Sequence, residues 1–286
     1  MLKFIIKKLC NKTYVARMYL PSKVGGLITS SRFKNIHTYC MFIGYPRSGH
    51  SLIGALINAH PNAIFGIETD ALRLINAGFS KNQILYLIFR NSKRFTRIYK
   101  NSWSGYSYRI PDSHQGRYTD LLLIGDKQGG KSTNRIGEKP FLLPSLKNAL
   151  EIPIKLLHVV RNPFDIVSTT YERNVGNRTK LDRNLLESEI EKFFEKADIN
   201  NTLLTQTEFP ILTIHHEIFI ENPKVEMKRI LKFVGLKTDH DFINKCSSIT
   251  YKKPHQSRFN ILWPEDIITQ VQSRFTNYPF LKHYKY

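Results

Sequence analysis

The sequence predicts an α/β domain with a mainly parallel central sheet flanked by helices. Short apolar runs, typical of buried strands, alternate along the chain with segments in which apolar residues recur at helical spacing. The strand-like runs are Tyr39–Tyr45, Leu121–Gly125, Ile154–Val160 and Pro210–Ile214. Helices between successive strands let the strands run parallel, with helices covering both faces of the sheet.

Apolar periodicity places the helices between these strands. Ser51–His60 carries an apolar stripe at helical spacing, and Pro61 marks its end. A second helix is expected to follow the third strand and to run through Tyr171. Two more apolar stripes, within residues 186–197 and 227–234, predict two further helices.

The helix at 227–234 has the clearest end signals. Asn222 is the expected N-cap, because its side chain can accept a hydrogen bond from a free backbone N–H. Pro223 suits the first helical position, where no N–H is needed. Gly235 suits the position just past the end, where the backbone turns left-handed.

Composition and charge indicate one large domain that attracts anions. The chain has 286 residues, and its 41% share of hydrophobic residues is well above that of disordered chains. The formal net charge of +20 is spread along the sequence and favours phosphates, sulfates, nucleic acid or acidic membrane surfaces. A coding bias toward lysine would raise the charge as well, so charge alone assigns no function.

The cysteines and the first residues bear on the compartment. Three widely spaced cysteines suit neither a disulfide framework nor a zinc site, which favours a reducing compartment. The apolar patch Phe4–Ile6 is too short for a signal peptide or a membrane span. We therefore expect a cytoplasmic protein with no membrane span and no metal. Residues 1–37 are expected to form a basic lead-in of uncertain order, and residues 38–286 the domain.

Three segments follow strand-like runs and carry cationic or hydroxyl side chains. The first is Tyr45–Ser51 (YPRSGHS), a turn that leaves a strand and opens a helix. Its backbone N–H groups and the helix dipole can bind an anion, with Arg47 adding charge and Gly49 permitting close approach. An ordinary strand–helix turn with a solvated arginine is the alternative.

The second segment, Gly125–Ser132 (GDKQGGKS), fits the P-loop pattern G-x-x-x-x-G-K-[ST]. A true P-loop needs a helix directly after its lysine, but residues 133–140 include a glycine and a proline and show little helical patterning. It also needs a magnesium-binding acidic residue at the end of another strand. The strongest predicted strand, Ile154–Val160, is instead followed by an arginine, Arg161. An ATP-dependent kinase using this segment is therefore the less favoured enzyme.

The third segment is Arg161–Ser168 (RNPFDIVS). Arg161 is expected where a buried strand emerges, and Ser168 about two turns into the next helix. The planar fork of an arginine and the short donor of a serine can hold one anion together. An ion pair between Arg161 and Asp165 is the alternative.

Taken together, the first and third segments resemble the two signatures of the sulfotransferase superfamily that bind 3′-phosphoadenosine 5′-phosphosulfate (PAPS). Tyr45–Ser51 is similar to the 5′-phosphosulfate loop, Y-P-[KR]-S-G-T-[TS], and Leu157–Ser168 to the 3′-phosphate segment. Ile136–Leu143 resembles the G-D-K-T-P segment of the family, and Ile211–Gly235 its late strand and helix. Tyr251–Tyr286 resembles a C-terminal section of bacterial and Golgi-type members.

This resemblance implies a P-loop-like nucleotide-binding sulfotransferase fold and the residues that bind PAPS. The 5′-phosphosulfate would lie on Arg47 and the backbone donors that follow it. The residues implied for this loop are Arg47, Ser48, Gly49, His50 and Ser51. The 3′-phosphate would be held by Arg161 and Ser168, with Arg258 as a weaker candidate.

The resemblance also implies the catalytic groups. Arg47 would bridge the 5′-phosphate and the transferring sulfuryl group, and Lys139 would add a second cation, with Lys127 as the less favoured substitute. Gly66–Thr69 resembles the G-E-E-T segment of tyrosylprotein sulfotransferases, which makes Glu68 the candidate base. A surface or helix-capping glutamate is the alternative reading of Glu68.

The reaction implied is metal-free, in-line transfer of a sulfuryl group from PAPS to a hydroxyl or amine of an acceptor. A carbohydrate or an anionic small molecule is the expected acceptor, bound by loops within Ile67–Ser113 and Arg173–Arg183. His50 replaces the first threonine of the usual loop, which also allows a domain that only binds nucleotide. A basic nucleic-acid-binding protein is a further alternative, although clustered aromatic–basic motifs are missing. The sequence does not indicate an oligomeric state.

Overall fold

Five strands form one parallel sheet in the computed structural model. The structure describes residues 2–103, 105–176 and 181–286. Before residue 15, the only side chain described is that of residue 13. The strands of the described chain are β1 (Thr38–Gly44), β2 (Ala63–Ile67), β3 (Ser102–Trp103), β4 (Tyr106–Ser107), β5 (Leu123–Lys127), β6 (Ile154–Val160) and β7 (Ile211–His215). The sheet has the order β2-β5-β1-β6-β7, with every neighbouring pair parallel. A separate antiparallel hairpin joins β3 and β4.

Helices cover both faces of this sheet. The α-helices of the described chain are α1 (Leu2–Thr29), α2 (His50–Asn58), α3 (Ala71–Asn76), α4 (Lys81–Arg97), α5 (Gly130–Glu138), α6 (Leu142–Leu150), α7 (Pro163–Val175), α8 (Arg183–Gln206), α9 (His216–Glu221), α10 (Pro223–Val234), α11 (His240–Ser248) and α12 (Glu265–Arg274). Short 3₁₀ helices span Ser30–Phe33, Ser257–Asn260 and Phe275–Asn277. The predicted fold class, a single α/β domain with a mainly parallel sheet, is confirmed.

The central strand β1 shows how the core is divided. Its residues alternate between the faces, as strand geometry requires. Tyr39, Met41 and Ile43 pack with α3, α4 and α6 on one face. Cys40 and Phe42 pack with α2, α10 and α11 on the other. A third cluster, among α7, α8, α12 and the last residues of the chain, closes the side next to β6.

The strand predictions hold at four of the five positions in the sheet. The predicted run Ile154–Val160 is β6 with the same bounds, and the other three runs are displaced by one or two residues. The fifth strand, β2 at Ala63–Ile67, was not predicted. Its five residues include Gly66, and a run this short and glycine-bearing has no period that distinguishes it from a loop.

One helix expectation is wrong, because α5 begins at Gly130 and continues through Glu138, directly across the lysine of the P-loop pattern. Its buried face is partly polar, so hydrophobic periodicity does not reveal it. The Thr133 hydroxyl accepts a hydrogen bond from the Gly44 backbone N–H at 2.9 Å and lies 3.0 Å from the Asn200 side-chain oxygen. These contacts fix the helix against β1 and α8.

The ends of α10 agree with the prediction except for the side-chain cap. Pro223 occupies the first helical position, as expected. Gly235 has φ +85° and its N–H donates to the Leu231 carbonyl at 3.0 Å, as expected of a left-handed helix end. Asn222 occupies the N-cap position but its side chain forms no capping hydrogen bond.

The basic lead-in contains a helix that packs on the domain. Helix α1 lies along α4, where the Gln83 amide donates to the Tyr19 carbonyl at 3.0 Å and to the Ser22 hydroxyl at 3.1 Å. Gly25 and Gly26 permit close approach, because a β-carbon at either position would overlap α4. Within the described residues, no helix has the length and hydropathy of a membrane span.

Candidate active site

All five strands of the sheet end at one edge, and each delivers a polar side chain there. The side chains that follow or end β2, β5, β1, β6 and β7 are Glu68, Lys127, Arg47, Arg161 and His216. They line one cavity of about 1100 Å³. In open parallel sheets, ligands bind beyond the carboxyl ends of the strands, which is where this cavity lies.

The turn between β1 and α2 forms the floor of the cavity. The Ser48 hydroxyl donates to the Tyr45 carbonyl at 2.9 Å, which closes the turn, so Ser48 is buried instead of facing the cavity. Arg47 has φ +65° and lines the cavity. A non-glycine residue held in this region stores strain, which is typical of functional turns.

Gly49 is required in this turn for two reasons. Its φ of +90° is left-handed, and a β-carbon there would overlap the His216 ring. The imidazole can therefore lie directly against the backbone that opens α2. The His216 Nδ1 atom is buried without a hydrogen-bond partner, and burial lowers the pKa of His216 to about 3. A neutral imidazole thus faces the cavity.

His50, the unusual residue of the loop, is also a neutral imidazole. It is buried at the start of α2, with Nδ1 3.1 Å from the Ser48 hydroxyl. Burial, together with Lys127 and His216, holds its pKa well below the ordinary value. Its ring packs against Gly129, where a β-carbon would lie only 2.7 Å from it. His50 therefore contributes packing and hydrogen bonding to the cavity without positive charge.

Glu68 lies between two lysines. Its two carboxylate oxygens lie 3.3 Å from the Lys127 and Lys131 ammonium groups respectively. Burial alone would raise the pKa of Glu68, but the two lysines outweigh it and the pKa is lowered. The side chain of Lys127 is almost fully buried, whereas that of Lys131 is 63% exposed. Two ammonium groups and one carboxylate therefore lie together at this side of the cavity.

A buried carboxylate fixes the backbone that carries Glu68. Asp126 in β5 accepts hydrogen bonds from the N–H groups of Thr69, Asp70 and Ala71 at 2.9, 2.6 and 3.1 Å. Burial raises the pKa of Asp126 to about 6. Because β2 and β5 are neighbours, these bonds anchor Glu68 beside Lys127.

Arg161 joins the β6 edge to the floor of the cavity. One guanidinium nitrogen donates to the Arg47 carbonyl at 3.1 Å, and another donates to the His255 carbonyl at 2.6 Å and the Ser257 hydroxyl at 3.2 Å. Its Nε lies 3.9 Å from the Asp165 carboxylate and has no hydrogen-bond partner. The predicted juxtaposition of the first and third segments is thus present.

Ser168 does not face this cavity. Its hydroxyl accepts from the Trp263 indole N–H at 3.0 Å inside the core. Thr169 lines the cavity instead, with its hydroxyl donating to the Asp165 carbonyl at 2.8 Å. One residue along a helix turns the side chain by about 100°, which separates a cavity-facing position from a core-facing one.

Two further predicted residues lie outside the cavity lining. Arg258 binds Asp165 through its backbone N–H at 2.8 Å and its guanidinium at 2.9 Å. The exposed Lys139 donates to the Asn76 side chain at 3.0 Å. It lies at the far end of α5, whose nine residues carry it about 13 Å from the strand edge. Lys127, the less favoured substitute, lies at that edge.

The P-loop pattern at Gly125–Ser132 does not form a phosphate-binding loop. Its first three residues belong to β5, and Gly125 packs under the Phe65 ring. Only Gln128 and Gly129 separate β5 from α5, so too few backbone groups remain to surround a phosphate chain.

The cavity has two unlike walls. One wall is apolar and aromatic, and its residues are Leu52, Tyr108, Ile220, Tyr251 and Pro254. The other is polar and mostly cationic, and its residues are Lys131, Asn134, Thr169, Glu172, Arg173 and Lys196. These come from α5, α7 and α8, and α8 packs against both of the others. Burial of Tyr108 in the first wall raises its pKa to about 12.

Sequence reasoning missed His216, Thr169 and the tyrosines of the aromatic wall. A signal existed for His216, because it directly follows the predicted fourth strand and strand ends were the rule that found Arg47 and Arg161. Part of the predicted acceptor loop Arg173–Arg183, residues 177–180, lies outside the described residues. Among the residues described, no group of three or more His, Cys, Asp or Glu side chains could hold a metal ion.

The parallel sheet, the helices on both of its faces and the strand-edge cavity define an α/β protein with a P-loop-like fold. The profile of the sulfotransferase domain family matches residues 38–278, so the chain belongs to that family. The resemblance seen in the sequence is therefore confirmed.

Individual relatives are distant. The chain is 23% identical over 232 residues to protein-tyrosine sulfotransferase 1 of Danio rerio, covering 78% of this chain and 62% of that protein. A Mycobacterium avium sulfotransferase shares the fold with a TM-score of 0.51 and 9% identity, over 85% of this chain and 76% of its own. A mouse sulfotransferase solved with PAP has a TM-score of 0.46 and 12% identity, over 83% and 84% of the two chains.

Proposed function

We propose that this sulfotransferase-family chain transfers a sulfuryl group from PAPS to an anionic acceptor. The observation that carries the proposal is the hydrogen bond from the Arg161 guanidinium to the Arg47 carbonyl. It joins two separate anion-binding segments at one cavity. A donor with phosphate groups at both the 5′ and 3′ positions of one ribose needs two such sites close together.

Unsatisfied polar atoms at the cavity fit a nucleotide of this kind. Arg161 Nε and His216 Nδ1 are buried without hydrogen-bond partners. An unpartnered buried polar atom costs free energy, and a bound ligand could supply the missing partner. The turn carrying Arg47 would hold the 5′-phosphosulfate, with the helix dipole of α2 behind it. Arg161 and Thr169 would hold the 3′-phosphate, with Ser257 beside them. The apolar wall would receive the adenine ring of the nucleotide.

Transfer would need charge neutralisation more than covalent chemistry. The S–O bond to the leaving 5′-phosphate breaks as the acceptor oxygen or nitrogen bonds to sulfur. PAPS supplies the sulfuryl group, and the product nucleotide keeps both phosphates. Arg47 and Lys127 would stabilise the charge on the sulfuryl and bridging oxygens. This assigns to Lys127 the role first expected of Lys139.

Glu68 would accept the proton of the acceptor. In the structure both of its oxygens contact lysines, which makes it a weak base. An anionic sulfuryl group beside Lys127 and Lys131 would compete for their ammonium groups and so raise the basicity of Glu68. Proton removal would then depend on a bound donor.

The cationic wall supports an anionic acceptor. With adenine on the apolar wall, the 5′-phosphosulfate on the floor and the 3′-phosphate between Arg161 and Thr169, the cations Arg173 and Lys196 are left for the second substrate. Burial lowers the pKa of Lys196, which a bound anion would reverse. Carboxylated or sulfated glycans and acidic peptides share this chemistry.

Calorimetric titration with 3′-phosphoadenosine 5′-phosphate (PAP) tests the nucleotide site. We expect metal-independent binding by wild type and a 10- to 100-fold loss in Arg161→Ala, because a hydrogen-bonded charge contributes about 1.5–3 kcal/mol. Adenosine 5′-phosphosulfate lacks the 3′-phosphate, so the Arg161→Ala substitution should weaken its binding much less. The exposed Arg97→Ala is the matched control.

The outcomes distinguish an error in the role given to Arg161 from an error in the proposed function. Equal losses for both nucleotides would remove Arg161 from the 3′-phosphate site. Failure of wild type to bind PAP, with binding of ATP and magnesium instead, would refute the proposed donor.

A further inference from the structure

Helix α1 presents an apolar stripe to solvent. Leu20, Val24, Leu27 and Ile28 are 69%, 59%, 68% and 74% exposed. Their spacing of four, seven and eight residues places them on one side of the helix, over about 12 Å of its length. Four large apolar side chains side by side on a surface indicate a contact that the isolated chain does not make.

The opposite side of α1 is fixed to the domain. Ser22 accepts from Gln83, Gly26 lies against the Asn82 backbone, and the Tyr19 ring packs edge-on against Phe79 with centroids 5.2 Å apart. The stripe therefore points away from the core, and turning it inward would break these contacts. Within the described part of the chain no element covers this stripe, so we infer a partner outside that part.

Charge identifies the kind of partner. Residues 1–37 contain eight lysines and arginines and no aspartate or glutamate, and Glu68 is the first acidic residue of the chain. Of these cations, the ones whose side chains are described are all exposed, namely Arg17, Lys23, Arg32 and Lys34. A second copy of the chain would bring a segment of the same positive charge against this one, which is unfavourable.

We propose that α1 docks through this stripe on the surface of an anionic lipid bilayer. Such a surface satisfies both features, because its headgroups attract lysine and arginine while its acyl boundary accepts apolar side chains. The helix would lie in the plane of the interface with the domain above it. This docking is independent of the reaction catalysed in the cavity.

Vesicle co-sedimentation of the full chain tests the proposal. Vesicles of phosphatidylcholine with 30% phosphatidylserine should bind the wild type at least about tenfold more tightly than phosphatidylcholine alone, since each basic residue near an anionic surface adds attraction. The double variant Leu20→Gln with Leu27→Gln should lose about tenfold or more of this binding. Leu262→Gln, which changes an 89% exposed leucine elsewhere, should bind as wild type.

Thermal melting and light scattering complete the test. Both glutamine variants should melt as wild type does, because the residues changed are exposed, and any difference in binding then reports on the stripe. Equal binding by the double variant and the wild type would mean that charge alone acts, and would overturn the proposal. A wild-type dimer that the double variant loses would assign the stripe to a second copy and overturn it too.

Discussion

At the scale of single residues, the direction of a side chain decides its role more than its type does. Ser168 and Thr169 are adjacent hydroxyl residues of α7, yet one bonds the Trp263 indole in the core and the other lines the cavity. Of the two hydroxyls only that of Thr169 lies at the cavity, and its proton would turn from the Asp165 carbonyl to donate to a ligand.

Thr169→Val should weaken PAP binding about tenfold, the equivalent of one hydrogen bond, and leave the melting temperature nearly unchanged. Ser168→Ala should do the reverse, lowering the free energy of unfolding by about 1 kcal/mol and leaving PAP affinity intact. Calorimetry and thermal denaturation on the two variants measure both effects. Weakened PAP binding in Ser168→Ala alone would restore the serine as the ligand.

In the proposed reaction, the lysines around Glu68 would set the acidic limit of activity. The pKa of Glu68 is lowered by its neighbours, so the base stays ionised to a pH below the ordinary range for a glutamate. Lys131→Met removes one of those cations and should raise the pKa of Glu68. The acidic limb of kcat/KM should then move to higher pH, since this limb reports ionisation in the free enzyme.

Lys139→Met is the matched control for this profile. It makes the same substitution at the C-cap of the same helix, but Lys139 contacts Asn76 outside the cavity. Its pH profile should coincide with that of wild type. A shift of equal size in both variants would show a general charge effect and remove Glu68 from the assignment.

At the scale of elements, the turn between β1 and α2 depends on backbone freedom and on the space beside it. Gly49 is left-handed and lies against the His216 ring, whereas Gly78, also left-handed, has nothing near its β-carbon position. Both glycines thus have a left-handed backbone, but only Gly49 has a side chain packed against its β-carbon position.

Gly49→Ala should abolish detectable PAP binding, because the added methyl displaces the His216 ring or the turn. Gly78→Ala should cost only the left-handed strain of about 1–2 kcal/mol and retain PAP affinity. Thermal melts and calorimetry on both variants separate strain from contact. Wild-type PAP affinity in Gly49→Ala would show that the turn tolerates a side chain and is not the phosphate site.

At the scale of the whole molecule, the net charge of +20 attracts anions toward the protein, and the five strand ends carry the cavity in which an anion would bind. A field of this sign accelerates the approach of a multiply charged anion, and salt screens it. Raising the ionic strength from 20 to 200 mM should slow association of PAP about tenfold and change its dissociation much less. Stopped-flow measurements test this, with uncharged adenosine as the control ligand. Equal salt effects on both ligands would exclude steering.

Much of the fold was readable from the sequence, because strands and helices leave local periodic patterns. β6 and the left-handed end of α10 were predicted to the residue, and the turns at Arg47 and Arg161 were recognised as strand-end sites. β2 and α5 were missed, since one is short and the other buries polar atoms such as the Thr133 hydroxyl. Patterns of apolar residues carry no signal for either.

The sequence by itself determined the fold class, the family and three strand-end segments whose residues line the cavity. Only the tertiary structure decided that Lys127 instead of Lys139, and Thr169 instead of Ser168, faces it, and that His216 completes it. The physical reason is that these choices depend on the order of strands in the sheet and on the rotation of helices against it. Both are set by packing between residues far apart in the chain, which no local pattern records.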